Sequence, residues 1–228
     1  MPRDTTISEL TSNQPFFKNA TNPSTVFSIY KRTIDILTSL ILLPIVAIIC
    51  LIALILNPFL NRGKLFYAQE RVGKNNTLFR MYKLRTMQYR TKDAKFATEE
   101  SARITPLGRF MRDIHIDELP QILNVLLGDM SLIGPRPEQP AFFQNYAQSI
   151  EGFTLRQSVR PGVSGLAQIR YGYTDCHVGA QRKLKSDLEY IQHQGFHTEA
   201  RIYLRTYTYV FSRIGKRLIT LVKPGRNG

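Results

Sequence analysis

Cysteine is nearly absent from this 228-residue chain. The two present, Cys50 and Cys176, lie far apart, which excludes a disulfide framework or a cysteine metal knuckle and fits a reducing environment. Acidic residues are scarce as well: 17 Asp plus Glu stand against 31 Lys plus Arg, for a formal net charge of +14. Such an excess points to an anionic partner or surface, with nucleic acid, anionic lipid and a phosphorylated substrate as candidates. Motifs that read RNA or DNA are missing, so the expectation is no nucleic acid. Outside one long apolar run the chain is far too polar to be polytopic. That run begins too late and extends too far to be the core of a secretory signal.

The run, from Ile36 to Leu56, carries no charged side chain and has Pro44 near its middle. About 21 apolar-dominated residues are enough to cross a bilayer as a helix. Lys31 and Arg32 precede it and Arg62, Lys64, Arg71 and Lys74 follow it, whereas a simple span normally leaves its positive charge on one side. Both ends therefore read as cytoplasmic. A helix that enters, breaks at Pro44 and returns to the same face satisfies the charges; a straight span with a tolerated proline kink is the alternative, and spacing leaves both open. Lys31 and Asp35 are four apart, so a helix is expected to pair them at the membrane surface. Residues 1–28 are rich in Ser, Thr, Asn and Pro and read as a flexible polar arm, followed by the membrane helix over 29–60. Residues 61–222 are long enough for one domain with its own core, and 223–228 form a basic tail.

Past the membrane segment, Lys64 to Arg71 and Leu78 to Leu84 are strand-like runs around the turn cluster Gly73-Lys74-Asn75-Asn76, which predicts a hairpin. It gathers Arg71, Lys74, Lys83 and Arg85, with solvated strand ends as the plain alternative. Gln88 to Ser101 is polar and reads as a mobile loop. Thr105-Pro106 is a helix start, with a capping hydroxyl and proline at the first helical position. A second helix is expected from Asp117, because Leu119, Ile122, Leu123 and Leu126 repeat at i, i+3, i+4 and i+7, with Asp117 as its N-cap. Adjacent carboxylates in that place are expected to be held ionised by the helix dipole, where one can act as a nucleophile and its neighbour can hold a divalent cation; the plain alternative is that Asp117 only caps the helix and Glu118 only complements its dipole. Further on, Gly134-Pro135-Arg136-Pro137 presents one arginine on a stiff backbone, which suits bidentate contact with a phosphate.

Taken in order, Lys31-Arg32 with Asp35, Pro44, Gln69 to Lys74, Tyr82 to Met87, Asp117-Glu118-Leu119-Pro120-Gln121, Gly128 to Pro137 and Val159 to Gln168 resemble the bacterial sugar transferases. These are the monotopic phosphoglycosyl transferases, or polyprenyl-phosphate hexose-1-phosphate transferases, and the match runs from about Ser28 to Thr220. The resemblance implies an α+β, predominantly helical monotopic membrane protein with a Pro-broken reentrant helix, a small β-hairpin and interfacial amphipathic helices. It implies transfer of a sugar-1-phosphate from a UDP-sugar donor to a polyprenyl phosphate acceptor, releasing UMP, at the cytoplasmic face of the bacterial inner membrane, as the first membrane step of polysaccharide synthesis. It further implies that Asp117 attacks the sugar-bearing phosphorus, that Glu118 with Asp117 holds Mg²⁺, and that Arg112, Arg136, Arg85 and Arg160 bind phosphates.

Membrane lipids are the surrounding partner, and a homo-oligomer is compatible. Two departures stand out. His115 occupies a position that is commonly serine or arginine, and Arg170-Tyr171-Gly172-Tyr173 resembles the catalytic halves of larger multispan members. The second, with Glu138, tilts the donor toward glucose or galactose, and the chain is expected to act as a stand-alone catalytic unit. His193 and His197 have metal-ligand spacing for a helix, but Gly195 between them and the lack of a carboxylate partner argue against a site. Asp187 and Tyr190 read as packing residues, and 201–218 as a basic amphipathic helix with tyrosines suited to headgroups. A membrane-tethered basic lipid- or nucleic-acid-binding module is the competing class, and it leaves the Asp117-Glu118 pair unexplained. A catalytically silent scaffold would be expected to lack that pair.

Overall fold

The computed structural model describes residues 24–61, 63–88, 103–172 and 177–222. The polar arm to residue 23, the loop expected beyond Gln88, Tyr173, Cys176 and the tail 223–228 lie outside them. Helix α1, Thr25–Leu60, is capped by Ser24, whose hydroxyl accepts from the Phe27 amide at 3.1 Å. The helix thus claims Thr25 to Ser28 from the expected arm. Pro44 and Pro58 both lie inside one helical run, so Pro44 does not end one helix and begin another. Among the described residues α1 is the one helix long and apolar enough to cross a membrane. Its buried positions Asp35, Ser39, Val46, Ala53 and Asn57 fall on a single stripe at helical spacing, while Ile41, Ile48, Ile55 and Phe59 are exposed.

Both ends of α1 are fastened to the rest of the chain. Near the start, Lys31 donates to the Ile133 carbonyl at 3.0 Å and pairs with Glu199 at 2.8 Å, and buried Asp35 accepts from the Leu132 amide at 3.0 Å. The expected Lys31–Asp35 pair is therefore replaced: each side chain turns inward to a partner that burial would otherwise leave unsatisfied. Arg32 covers the carbonyls of Val125 and Leu126. Near the far end, Ala53 packs with Leu65, Leu84 and Met111, and Asn61 donates to the Arg85 carbonyl at 2.6 Å.

The hairpin forms as the sequence predicts, β1 (Phe66–Val72) antiparallel to β2 (Leu78–Leu84) with Val72 opposite Leu78. Asn75 and Asn76 take positive φ in the turn, the conformation asparagine tolerates best after glycine. Helix α2, Pro106–Asp113, starts at Thr105, whose hydroxyl accepts from the Gly108 amide at 3.0 Å. A 3₁₀ turn over Ile116–Glu118 leads into helix α3, Gln121–Leu127, which stops at Gly128 with φ 94°. Strand β3 (Ser131–Ile133) then pairs in parallel with β4 (Gly162–Ser164). Helix α4 is Pro140–Ser149, a second 3₁₀ segment covers Phe153–Ser158, and α5 is Leu166–Tyr171. Helices α6 (His177–Gln192) and α7 (Phe196–Val222) close the fold. The main core, including Ile133, Phe153, Leu184, Leu188, Tyr190 and Ile202, lies where α6 and α7 cover the β3–β4 pair. On α7, Ile202 is buried, and the outward apolar row is Leu204, Tyr207 and Phe211.

Candidate active site

The turn before α3 sets the site. His115 takes φ 58°, and the chain then winds tightly through Ile116, Asp117 and Glu118 before Pro120 opens α3. Asp117 is thus inside a 3₁₀ turn, three residues ahead of Pro120, and is not the N-cap of α3. Both carboxylates are 8% exposed. Burial, and then the neighbouring Glu118 charge, push the Asp117 carboxyl up to about 6, against the pull of Lys83, Arg112 and Arg136. That corrects the expectation of a dipole-stabilised cap: desolvation outweighs the short helix. Asp117 Oδ1 is buried without a hydrogen-bond partner, while Glu118 is clamped from two sides. Arg136 meets both of its oxygens, at 3.1 Å for Nη1–Oε2 and in a shorter contact for Nη2–Oε1, and Lys83 Nζ donates at 2.8 Å. Burial opposes ionisation of Glu118, yet Arg136 and Lys83 hold it well below the ordinary carboxylate range. The two adjacent acids are therefore pushed apart, a pattern that marks sites of chemistry.

The supports come from several elements. Asn124, fully buried on α3, accepts from the Tyr82 amide at 3.0 Å and donates to the Arg80 carbonyl at 2.7 Å, which fixes α3 against β2 and hence Glu118 beside Lys83. The loop carrying Arg136 is pinned residue by residue. Gly134 N–H donates to Ser164 O, Gly162 N–H to Pro135 O, and Val72 N–H to Glu138 O. Arg156 donates to the Arg136 carbonyl at 2.9 Å and Arg71 to the Pro137 carbonyl at 3.1 Å. A Cβ on Gly162 or Gly165 would collide with the Gly134 backbone, so the strand pair and loop pack this closely only with glycine there. Burial, then the Arg136 charge, lower Arg71 to about 10. Burial likewise pushes the Lys83 ammonium down, against the pull of Glu118.

The expected site residues separate into two groups. Asp117, Glu118 and Arg136 come together, and Arg112 acts on Asp117 through its charge while its Nε donates to Thr86 Oγ1 at 2.8 Å. Arg85 instead reaches the Asn61 carbonyl at the end of α1, at 2.8 Å, and exposed Arg160 binds the Gly128 carbonyl at the far end of α3, also at 2.8 Å. His115 lies against Tyr209 of α7, ring centroids 6.0 Å apart, and burial lowers its pKa. His193 lies in the turn after α6 and His197 at the start of α7, so their spacing makes no paired face on one helix. Arg71 and Lys83 belong to the cluster; their signal was a cationic pair at alternating ends of the hairpin. Arg156 gave no local signal.

Mg²⁺ takes oxygen ligands and is commonly held by one or two carboxylates together with substrate phosphates and water. The unpartnered Asp117 oxygen beside Glu118 fits that requirement, and among the described residues no group of three or more His, Cys, Asp or Glu offers a fuller cage.

The sequence pattern of the bacterial sugar transferases matches residues 26–213. A relative from Aeromonas hydrophila named UDP-N-acetylgalactosamine-undecaprenyl-phosphate N-acetylgalactosaminephosphotransferase is 37% identical over 197 residues, 86% of this chain and 47% of its own length. Proteins named UDP-glucose:undecaprenyl-phosphate glucose-1-phosphate transferase are similar too. That of Escherichia coli K12 is 40% identical over 174 residues, 74% of this chain and 37% of its own. That of Caulobacter vibrioides is 36% identical over 188 residues, 81% of this chain and 70% of its own. The chain spans about half, or less, of the length of the first two. With the pattern matched across α1, both carboxylates and the Arg136 loop, the chain belongs to the bacterial sugar transferase family.

Proposed function

We propose that this protein transfers a sugar-1-phosphate from a UDP-sugar to a polyprenyl phosphate such as undecaprenyl phosphate, releasing UMP, at the cytoplasmic face of a bacterial inner membrane. The observation that carries the reading is the pair of adjacent buried carboxylates in a cationic setting. Asp117 has an unpartnered oxygen and Glu118 is held by Arg136 and Lys83. Phosphoryl transfer needs in-line positioning and charge neutralisation more than acid or base strength, and the charges of four cations act on this one turn: Lys83, Arg112 and Arg136, with Arg71 acting on Glu118.

In the first step an ionised Asp117 oxygen attacks the sugar-bearing phosphorus. The bond from that phosphorus to the bridging oxygen breaks, UMP leaves with the electron pair, and a phosphosugar remains on the carboxylate. In the second, a phosphate oxygen of the polyprenyl phosphate attacks the same phosphorus, the Asp117–phosphorus bond breaks, and the carboxylate is regenerated. Arg136, with its planar fork, is suited to meet a phosphate bidentately once substrate competes with Glu118 for it. Arg112 and Lys83 neutralise charge on the transferring group. Asp117 and Glu118 would hold Mg²⁺, whose chemistry there is to neutralise charge on the diphosphate.

A reentrant α1 accords with this placement. A crossing helix would carry Asp35 and Asn61 to opposite sides of the bilayer, yet both are bonded to the same body, at Leu132 and Arg85. The relatives' names include both N-acetylgalactosamine and glucose, so the sugar is a matter for assay. Purified protein given undecaprenyl phosphate and a panel of UDP-sugars should form a lipid-linked sugar diphosphate and UMP with at least one donor. Binding of lipid without product from any donor would favour the non-catalytic membrane module and defeat the proposal.

A further inference from the structure

The Arg136 loop is the part of the site with the least helical or strand support, and one of the side chains that pin it comes from far away in sequence. Arg156, in the 3₁₀ segment after α4, has a side chain only 2% exposed. Its guanidinium donates to Glu138 Oε1 at 3.3 Å and to the backbone carbonyl of Arg136 at 2.9 Å, and it forms an ion pair with Asp187 Oδ2 of α6 at 2.7 Å. The Phe153 ring lies under it, 4.9 Å from its centre. Nothing in this arrangement lets Arg156 reach a substrate. A cation with two carboxylates has its charge more than compensated without the carbonyl, so that bond fixes geometry rather than balances charge. Buried ion pairs of this kind add little net stability over apolar packing, and their best-attested use is to enforce one arrangement.

We infer that Arg156 is a positioning residue that acts through Arg136: held between Glu138 and Asp187, it fixes the Arg136 carbonyl and so aims the Arg136 guanidinium at Glu118 and the transferring phosphate. The inference rests on the proposed function for its kinetic consequence and on the geometry alone for its structural one. Glu138 is two residues beyond Arg136 on the same loop, and its own carbonyl accepts from Val72 at 3.0 Å. Arg156 therefore grips the loop by backbone and side chain together. Asp187 supplies the fixed point, because α6 is anchored in the main core through Leu184 and Leu188.

The test uses the full chain in lipid nanodiscs, with Arg156→Lys and Asp187→Asn made singly and on top of Arg136→Lys. Lysine keeps the charge of Arg156 but carries its donors on a single nitrogen, which cannot span the groups that Nη1 and Nη2 reach separately, and Asp187→Asn keeps shape while releasing the fixed point. Two quantities are read: UMP release per molecule, and hydrogen exchange of the peptide containing residues 134–138. Each single variant should lower turnover about tenfold or more with donor KM little changed. Either change placed on Arg136→Lys should cost no more than about twofold further, since the aimed fork is already gone. Exchange in 134–138 should rise while that of α3 stays as in the parent.

Multiplicative losses in the double variants, or unchanged exchange in the loop, would overturn the inference and leave Arg156 a plain core residue. If the parent protein releases no UMP from any UDP-sugar, the proposed function fails. The exchange measurement then decides the role of Arg156 by itself, faster loop exchange keeping it and unchanged exchange overturning it. Should Arg156→Lys not fold, Asp187→Asn carries both readouts.

Discussion

Replacing Asp117 by asparagine should make the protein more stable at neutral pH while abolishing transfer. Burial and the adjacent Glu118 raise the Asp117 carboxyl from 3.8 to about 6. The folded state therefore binds the proton more tightly than the unfolded chain, and ionised Asp117 is a cost to the fold. Below pH 3.8 the group is protonated in both states and the cost is absent; above about pH 6 it is ionised in both and the cost is complete. The rise is about two pH units, and at 1.36 kcal/mol per unit the ionised carboxylate costs about 3 kcal/mol. Asparagine has nearly the same shape and no charge to desolvate. For a chain of this size that difference corresponds to a Tm increase of roughly 6–12 °C. Thermal melts of the two proteins in one detergent at pH 7.5 and pH 5 provide the assay. Asp117→Asn should melt higher at pH 7.5, and the gap should shrink at pH 5. A lower Tm for the variant at both pH values, or a gap that ignores pH, would refute the burial argument.

The pH dependence of kcat/KM should follow the same group: activity needs the carboxylate, so the acid limb should fall as pH drops through about 6, and a limb near pH 4 would contradict it. Arg136→Lys should fold normally, judged by an unchanged Tm, yet lose about a hundredfold or more in turnover, because one ammonium cannot replace the two-point contact with Glu118 or a phosphate. Glu118→Gln should also lose activity, and added Mg²⁺ should recover part of it in a titration; recovery absent at any concentration would count against Glu118 as a metal ligand. Asn124→Ala should cost about 2–4 kcal/mol in denaturant unfolding, since it strands the Tyr82 amide and Arg80 carbonyl in a buried place. A cysteine at exposed Ser28 should resist an impermeant label applied outside intact cells, whereas ready labelling would defeat the reentrant reading.

Local signals carried much of this fold. The Thr105-Pro106 helix start and the Gly73 to Asn76 turn each appear where spacing and turn chemistry put them, because each depends on its own neighbours in the chain. Long-range packing was not legible in the same way. Asp117 looked like a helix cap because Leu119, Ile122, Leu123 and Leu126 repeat at helical spacing, but His115 at positive φ tightens the chain and delays α3 to Gln121. Lys31 and Asp35 looked like a pair, yet each meets a partner about a hundred or more residues away. The three-residue strands β3 and β4 are too short to show a period, and they pair because glycines let their backbones approach. Of the arginines, Arg136 stood out through its flanking prolines. Arg85 and Arg160 had only a motif to speak for them, and the fold takes both to other places.

The central claim is that Asp117 is the nucleophile in a two-step transfer, and one measurement reaches it most directly. The protein is mixed with a UDP-sugar in the absence of any lipid acceptor, quenched, digested and examined by mass spectrometry while UMP is counted. The account predicts release of about one UMP per active site and a phosphosugar mass on the peptide containing Asp117, both lost in Asp117→Asn. An adduct on another residue, or UMP that appears only after polyprenyl phosphate is added, would contradict it.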